Sequence, residues 1–118
     1  MKRILVYNQS QDVLLSFENV TSADFQIETA MSIHEVFKKY LFHNQLDSMD
    51  PVPDVFLANL CEPTKEVIDF LNYVNRYRPK LKMIVVMASS RKVSLLKTIF
   101  KGKDICISEP DCLPDILN

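Results

Sequence analysis

Glycine is nearly absent from this chain, with Gly102 the only one among 118 residues. Dinucleotide and P-loop sites need glycines where backbone approaches phosphate, and none follows the first apolar run, so both classes are excluded. Cysteine is sparse too. Cys61, Cys106 and Cys112 are widely spaced and odd in number, which gives no disulfide framework and suits a reducing, cytoplasmic setting. Neither sign of charge dominates: the formal net charge is −1, so no basic face that would draw nucleic acid is implied. Long apolar runs are missing. Met83 to Ala88 is far too short to span a bilayer, and no membrane role is expected. Ile4-Leu5-Val6 is too short for the apolar core of a signal peptide and reads as a first strand. What remains is 47% hydrophobic and 25% charged, the composition of one globular domain with a real core.

Short apolar runs alternate with helical periodicity along the chain. Ile4 to Tyr7 has the continuous apolarity of a strand buried on both faces. Ser10 or Asp12 is placed to cap a first helix with apolar positions Val13, Leu14 and Phe17. Phe25, Ile27 and Thr29 alternate with polar neighbours, as in a more exposed strand. Ser32-Ile33-His34-Glu35 has the form of a capping box, opening a second helix that buries Ile33, Val36, Phe37, Tyr40 and Leu41. A polar loop from Asn44 to Pro53 leads into a central third strand, Val55 to Leu60. Pro63-Thr64 starts a third helix with the stripe Val67, Phe70, Leu71, Val74, and Pro79 bars its continuation.

Met83 to Ala88 is the fourth strand. Ser89 or Ser90 caps a fourth helix carrying Val93, Leu96 and Phe100, with Gly102 expected at its C′ position. Ile105 to Ile107 is the fifth strand, and Leu113-Pro114 opens a fifth helix. That last helix is too short to cover its share of a sheet, which points to an N-terminal piece of a longer protein. Five strands alternating with helices imply a parallel sheet with right-handed crossovers and helices on both faces. In such a sheet ligands bind beyond the carboxyl ends of the strands. The residues there are Asn8, Gln9, Asn59, Ala88, Ser89 and Glu109.

The run from Pro53-Asp54-Val55 through Asn59-Leu60-Cys61-Glu62-Pro63 resembles the response-regulator receiver segment that carries the phosphate-accepting aspartate. In that family a proline follows the aspartate four residues later, and here Asn59 stands in its place. Arg3-Ile4-Leu5-Val6-Tyr7-Asn8-Gln9 is similar to the receiver's first strand, with Asn8-Gln9 where an acidic pair holds Mg²⁺. Ile84-Val85-Val86-Met87-Ala88-Ser89 is similar to the fourth strand, with Ala88 where threonine or serine is usual. Ile107-Ser108-Glu109-Pro110 is similar to the lysine-proline segment, with Glu109 for lysine and Cys106 at the aromatic switch position. The resemblance spans nearly the whole chain. It implies a flavodoxin-like (CheY-like) three-layer α/β sandwich, strand order 2-1-3-4-5, in one domain over residues 1–118.

The same residues say what the resemblance does not carry over. Mg²⁺ prefers hard, negatively charged oxygens, whereas Asn8, Gln9 and Asn59 offer neutral amides. An amide is no nucleophile for phosphoryl transfer. Glu109 puts negative charge where a phosphate wants a cation, at a cost of about 4 kcal/mol per like-charge pair at roughly 4 Å and an effective dielectric near ~20. Asn8 and Asn59 then have two readings. They hydrogen-bond loop backbone as a structural plug, or they fix one permanent conformation that a partner recognises without phosphorylation.

A pseudo-receiver is therefore expected: no enzyme, no metal, no cofactor, acting through a protein partner or an output domain. By the resemblance its interaction surface is the face of the fourth helix, fifth strand and fifth helix, with Lys92, Leu95, Ile99, Ile105 and the tail from Leu113, open to homodimerisation. Leu95 and Ile99 lie off the core stripe of their helix, which supports that surface independently. The rival is a small-molecule sensor or enzyme using a carboxyl-edge cavity lined by Asn8, Asn59 and Ser89. A conventional phosphorylated regulator is the third reading. Cys61 and Cys112 lack the C-x-x-C spacing of a redox pair, and His34 and His43 lie too far apart on one helix to share a metal.

Overall fold

The computed structural model describes residues 2–9, 25–37, 53–77 and 81–112. The five apolar runs form the strands β1 (Lys2–Asn8), β2 (Phe25–Ala30), β3 (Val55–Leu60), β4 (Lys82–Met87) and β5 (Ile105–Ser108). They pair in parallel in the order β2-β1-β3-β4-β5. The expected sheet is the observed one. Between the strands lie α1 (Ile33–Val36), α2 (Lys65–Tyr77) and α3 (Ser90–Ile99), the last being the fourth helix read from the sequence. The expected first helix near Val13, Tyr40, Leu41 and the tail with Leu113 fall outside the described residues.

Alternation along the strands divides the core. Leu5 and Tyr7 of β1, Phe56, Ala58 and Leu60 of β3, and Met83, Val85 and Met87 of β4 face the described helices. There they meet Val67, Phe70, Leu71 and Val74 of α2, the stripe expected from the sequence, and Val93, Leu96 and Phe100 of α3. Burying one such side chain fully is worth roughly 1.5–3 kcal/mol. Ile4, Val6, Val55, Leu57, Ile84 and Val86 form a second buried cluster on the opposite face. β3 is buried along its whole length, as a middle strand covered on both sides must be. Along one flank of α2, Phe37 packs against the core ring of Phe70 and the exposed Tyr73, and Tyr73 lies 4.5 Å from Tyr77 between ring centroids.

Helix ends follow local chemistry, with two departures. Ser32 accepts from the Glu35 N–H at 3.0 Å, but the Glu35 carboxylate takes the Met31 N–H, one residue outside the cap. Thr64 caps α2 through the Val67 N–H, and Ser89 caps α3 through the Lys92 N–H. Gly102 is not at C′. Phe100 is the C-cap of α3, and Gly102, at φ +83°, is the third residue of a turn closed by Lys103 N–H to the Phe100 carbonyl. A left-handed φ at that position is why the chain keeps its one glycine there.

Tyr7 sits in the core with its phenol pushed above its ordinary value of 10.0, chiefly by burial, then by the negative charge of Glu66 and Cys61. The folded state thus holds that proton longer than the unfolded chain does. Its contribution is intact below pH 10.0 and is lost as pH rises through the folded-state value. Urea unfolding is expected to show stability falling above about pH 10, and Tyr7→Phe is expected to flatten that limb.

Candidate functional site

The carboxyl edge of the sheet brings together most of the polar residues singled out in the sequence. Parallel pairing sets Asn8 opposite Asn59, and their positions in the alternation place both side chains on the same face as Val6 and Leu57. Both are buried, at 5% and 3% exposure, and Asn59 Nδ2 donates to Asn8 Oδ1 at 3.0 Å. Gln9 follows directly. Its backbone N–H donates to the Asn59 carbonyl at 3.0 Å. Its side-chain Oε1 accepts from the N–H groups of Cys61 and Glu62, both at 2.8 Å, while Nε2 donates to the Glu62 carbonyl at 2.9 Å. One glutamine side chain thus acts as a strand partner for the loop after β3. The Cys61 thiol also points at Gln9 Oε1, at 3.4 Å.

A cation completes the cluster. Lys92, in the first turn of α3, donates to the Cys61 carbonyl at 3.1 Å and to Glu62 Oε1 at 2.6 Å. The sequence placed Lys92 on an outward-facing surface; in the structure its side chain is 35% exposed and its ammonium pairs with Glu62. Glu62 was not singled out at all. The two residues are 30 apart, and nothing local in either signals the pairing.

The remaining sites stand apart from this network. Ala88 is exposed just beyond β4, with only a methyl group to offer. Ser89, named as lining a possible cavity, is used as the cap of α3. The groups a small-molecule pocket would require therefore bond to one another or to α3. Glu109 is half-buried after β5, where its carbonyl accepts from Ser108 Oγ and the Cys112 N–H. β5 is two strands from β3, so the Glu109 backbone starts roughly 10 Å from that of Asn59. Cys106 is exposed on the β5 edge, turned to the sheet face opposite Ile107. Leu95 and Ile99 are exposed on α3, at 50% and 40%, as their place off the stripe implied. Ile105, expected beside them on the surface, is half-buried against the core cluster instead.

No family model matches the chain. No curated protein sequence matches it either. Among solved structures, the crystal structure of response regulator protein TrrA from Thermotoga maritima, in complex with Mg²⁺-BeF, matches with a TM-score of 0.61 and 22% identity. The match covers 92% of this chain and 86% of that one. The fold is the receiver fold. Strand order 2-1-3-4-5 and the helices on the Phe56–Val85 face agree with it. In this receiver fold the carboxyl edge carries neutral amides held by their own hydrogen bonds. Among the described residues no group of three His, Cys, Asp or Glu could hold a metal ion, and no helix is long and apolar enough to cross a membrane.

Gln9→Ala removes four side-chain bonds to the loop after β3, three to backbone groups and one from the Cys61 thiol. Because Gln9 is half-exposed, water recovers part of the loss, and the expected cost is about 1–2 kcal/mol. Urea unfolding of the variant checks it.

Proposed function

We propose that this chain is a pseudo-receiver: a receiver-like module of bacterial signal transduction that takes no phosphoryl group and acts by binding protein. The observation that carries this reading is the buried Asn59–Asn8 side-chain bond at the carboxyl edge. By the resemblance, Asn59 stands in the place of the phosphate-accepting aspartate, and Asn8-Gln9 in that of the Mg²⁺-holding pair. An amide nitrogen does not attack phosphorus, and neutral oxygens hold a divalent cation weakly. Further support comes from how the surrounding groups are used. The Gln9 oxygen already accepts two backbone N–H groups. The Lys92 charge is paired with the Glu62 carboxylate rather than turned to the Asn59 edge. Glu109, at the lysine position, adds charge of the wrong sign.

Output then lies in recognition. Leu95 and Ile99 present large apolar side chains to solvent along one side of α3. They form the face offered to a partner protein, an output domain or a second copy. The module works in the cytoplasm without cofactor, metal or nucleic acid.

Two measurements test the reading. Incubation with acetyl phosphate and Mg²⁺ is expected to leave the intact mass unchanged, and a phosphoryl increment on the chain would falsify the proposal. Leu95→Glu with Ile99→Glu is expected to weaken self-association or partner capture about tenfold or more. Unchanged association in that double variant rules out this surface.

A further inference from the structure

Lys92 stands where a helix does not want it. The first turn of α3 contains no acidic residue and carries Arg91 and Lys92 at the positive end of the helix dipole, which disfavours cations. The compensation comes from elsewhere in the chain, through Glu62 Oε1 at 2.6 Å and the Cys61 carbonyl at 3.1 Å. Those two acceptors sit on a loop that Gln9 grips from the other side at both N–H groups and at the Glu62 carbonyl. A continuous hydrogen-bonded path therefore runs from the end of β1, through the loop after β3, into the first turn of α3. Among the described residues, that helix is also fixed to the sheet by a narrow stripe, Val93 and Leu96, with Phe100 just past its end. Lys92, Leu95 and Ile99 follow the i, i+3, i+7 spacing of one helix face.

We propose that Lys92 is a latch, an internal ammonium that ties the start of α3 to the loop after β3 and makes the placement of the Leu95–Ile99 stripe depend on the Glu62 carboxylate. The latch is suited to opening as well as holding. Lys92 keeps 35% of its side chain exposed and Glu62 63%, so the pair is accessible to a competing charge. A cationic group brought to Glu62, or an anionic one brought to Lys92, breaks the contact and leaves α3 held, among the described residues, by its apolar stripe. The consequence for binding rests on the function proposed above, whereas the latch itself does not.

Hydrogen exchange read by mass spectrometry on the full chain tests it. The reporters are the Cys61 and Glu62 amides, protected by Gln9, and the Val93 amide, bonded to the Ser89 carbonyl. Lys92→Met is expected to speed exchange in both segments about threefold to tenfold, Glu62→Gln less, with Lys92→Arg near the parent value. Amides of β1, β3 and β4 should keep their protection, which shows that each variant is folded. Unchanged exchange at both segments in Lys92→Met overturns the latch, as does a uniform increase across the sheet. The measurement needs no partner, so its outcome is separate from whether Leu95 and Ile99 meet one.

Discussion

A polar side chain in a strand covered on both faces must find its partner inside the protein, and that requirement organises the carboxyl edge. β3 is buried from Val55 to Leu60, and Asn59 is part of that run. An amide left unpaired there costs roughly 1–3 kcal/mol. The pairing register supplies the partner. Ile4, Val6 and Asn8 alternate on the same face as Val55, Leu57 and Asn59, so the apolar pattern that sets the register also brings the two amides together. A slip of one residue would turn Asn59 to the other face and bury it among Phe56-side apolar groups. Hydrophobic patterning and polar satisfaction thus demand the same alignment.

Neutrality is what lets this edge close on itself. Two carboxylates at the positions of Asn8 and Asn59 would repel each other and call for a counter-ion. Two amides each carry both donors and an acceptor, so Asn59 can donate to Asn8 directly, with no counter-ion between them. The same economy runs outward through Gln9, whose single side chain meets three backbone groups, and through Lys92 and Glu62, whose charges cancel. The plug reading had Asn8 and Asn59 bonding loop backbone; in the structure the two bond each other, and Gln9 holds the loop. Gln9 and Lys92 between them tie the loop after β3 to the end of β1 and to the first turn of α3.

The strands, their identity as a parallel sheet and the core stripe of α2 were legible because each is written in local periodicity. Val67, Phe70, Leu71 and Val74 recur at helical spacing, and they are the residues α2 buries. The strand order followed from resemblance rather than from pattern, since five apolar runs alone permit several orders. Leu95 and Ile99 were read as outward because they fall between stripe positions. The bond from Lys92 to Glu62 was not legible, because a long flexible cation has many acceptors within reach and sequence does not rank them. Gly102 was misplaced by one residue because the turn after α3 is closed by Lys103, and only the backbone shows where the helix stops. Ile105 was assigned to the surface by analogy with a shared face, whereas its own strand alternation with Ile107 turns it inward.

The rings along one flank of α2 give the molecule an optical character of its own. The chain has no tryptophan and four tyrosines, so its near-ultraviolet emission is tyrosine light alone. Two of those tyrosines, Tyr73 and Tyr77, lie ring against ring and open to water, while Tyr7 is enclosed in the core. Among the described residues, tyrosine spectra therefore weigh two environments at once. Loosening the far end of α2 separates the paired chromophores and leaves Tyr7 dark to solvent, whereas global melting exposes all of them.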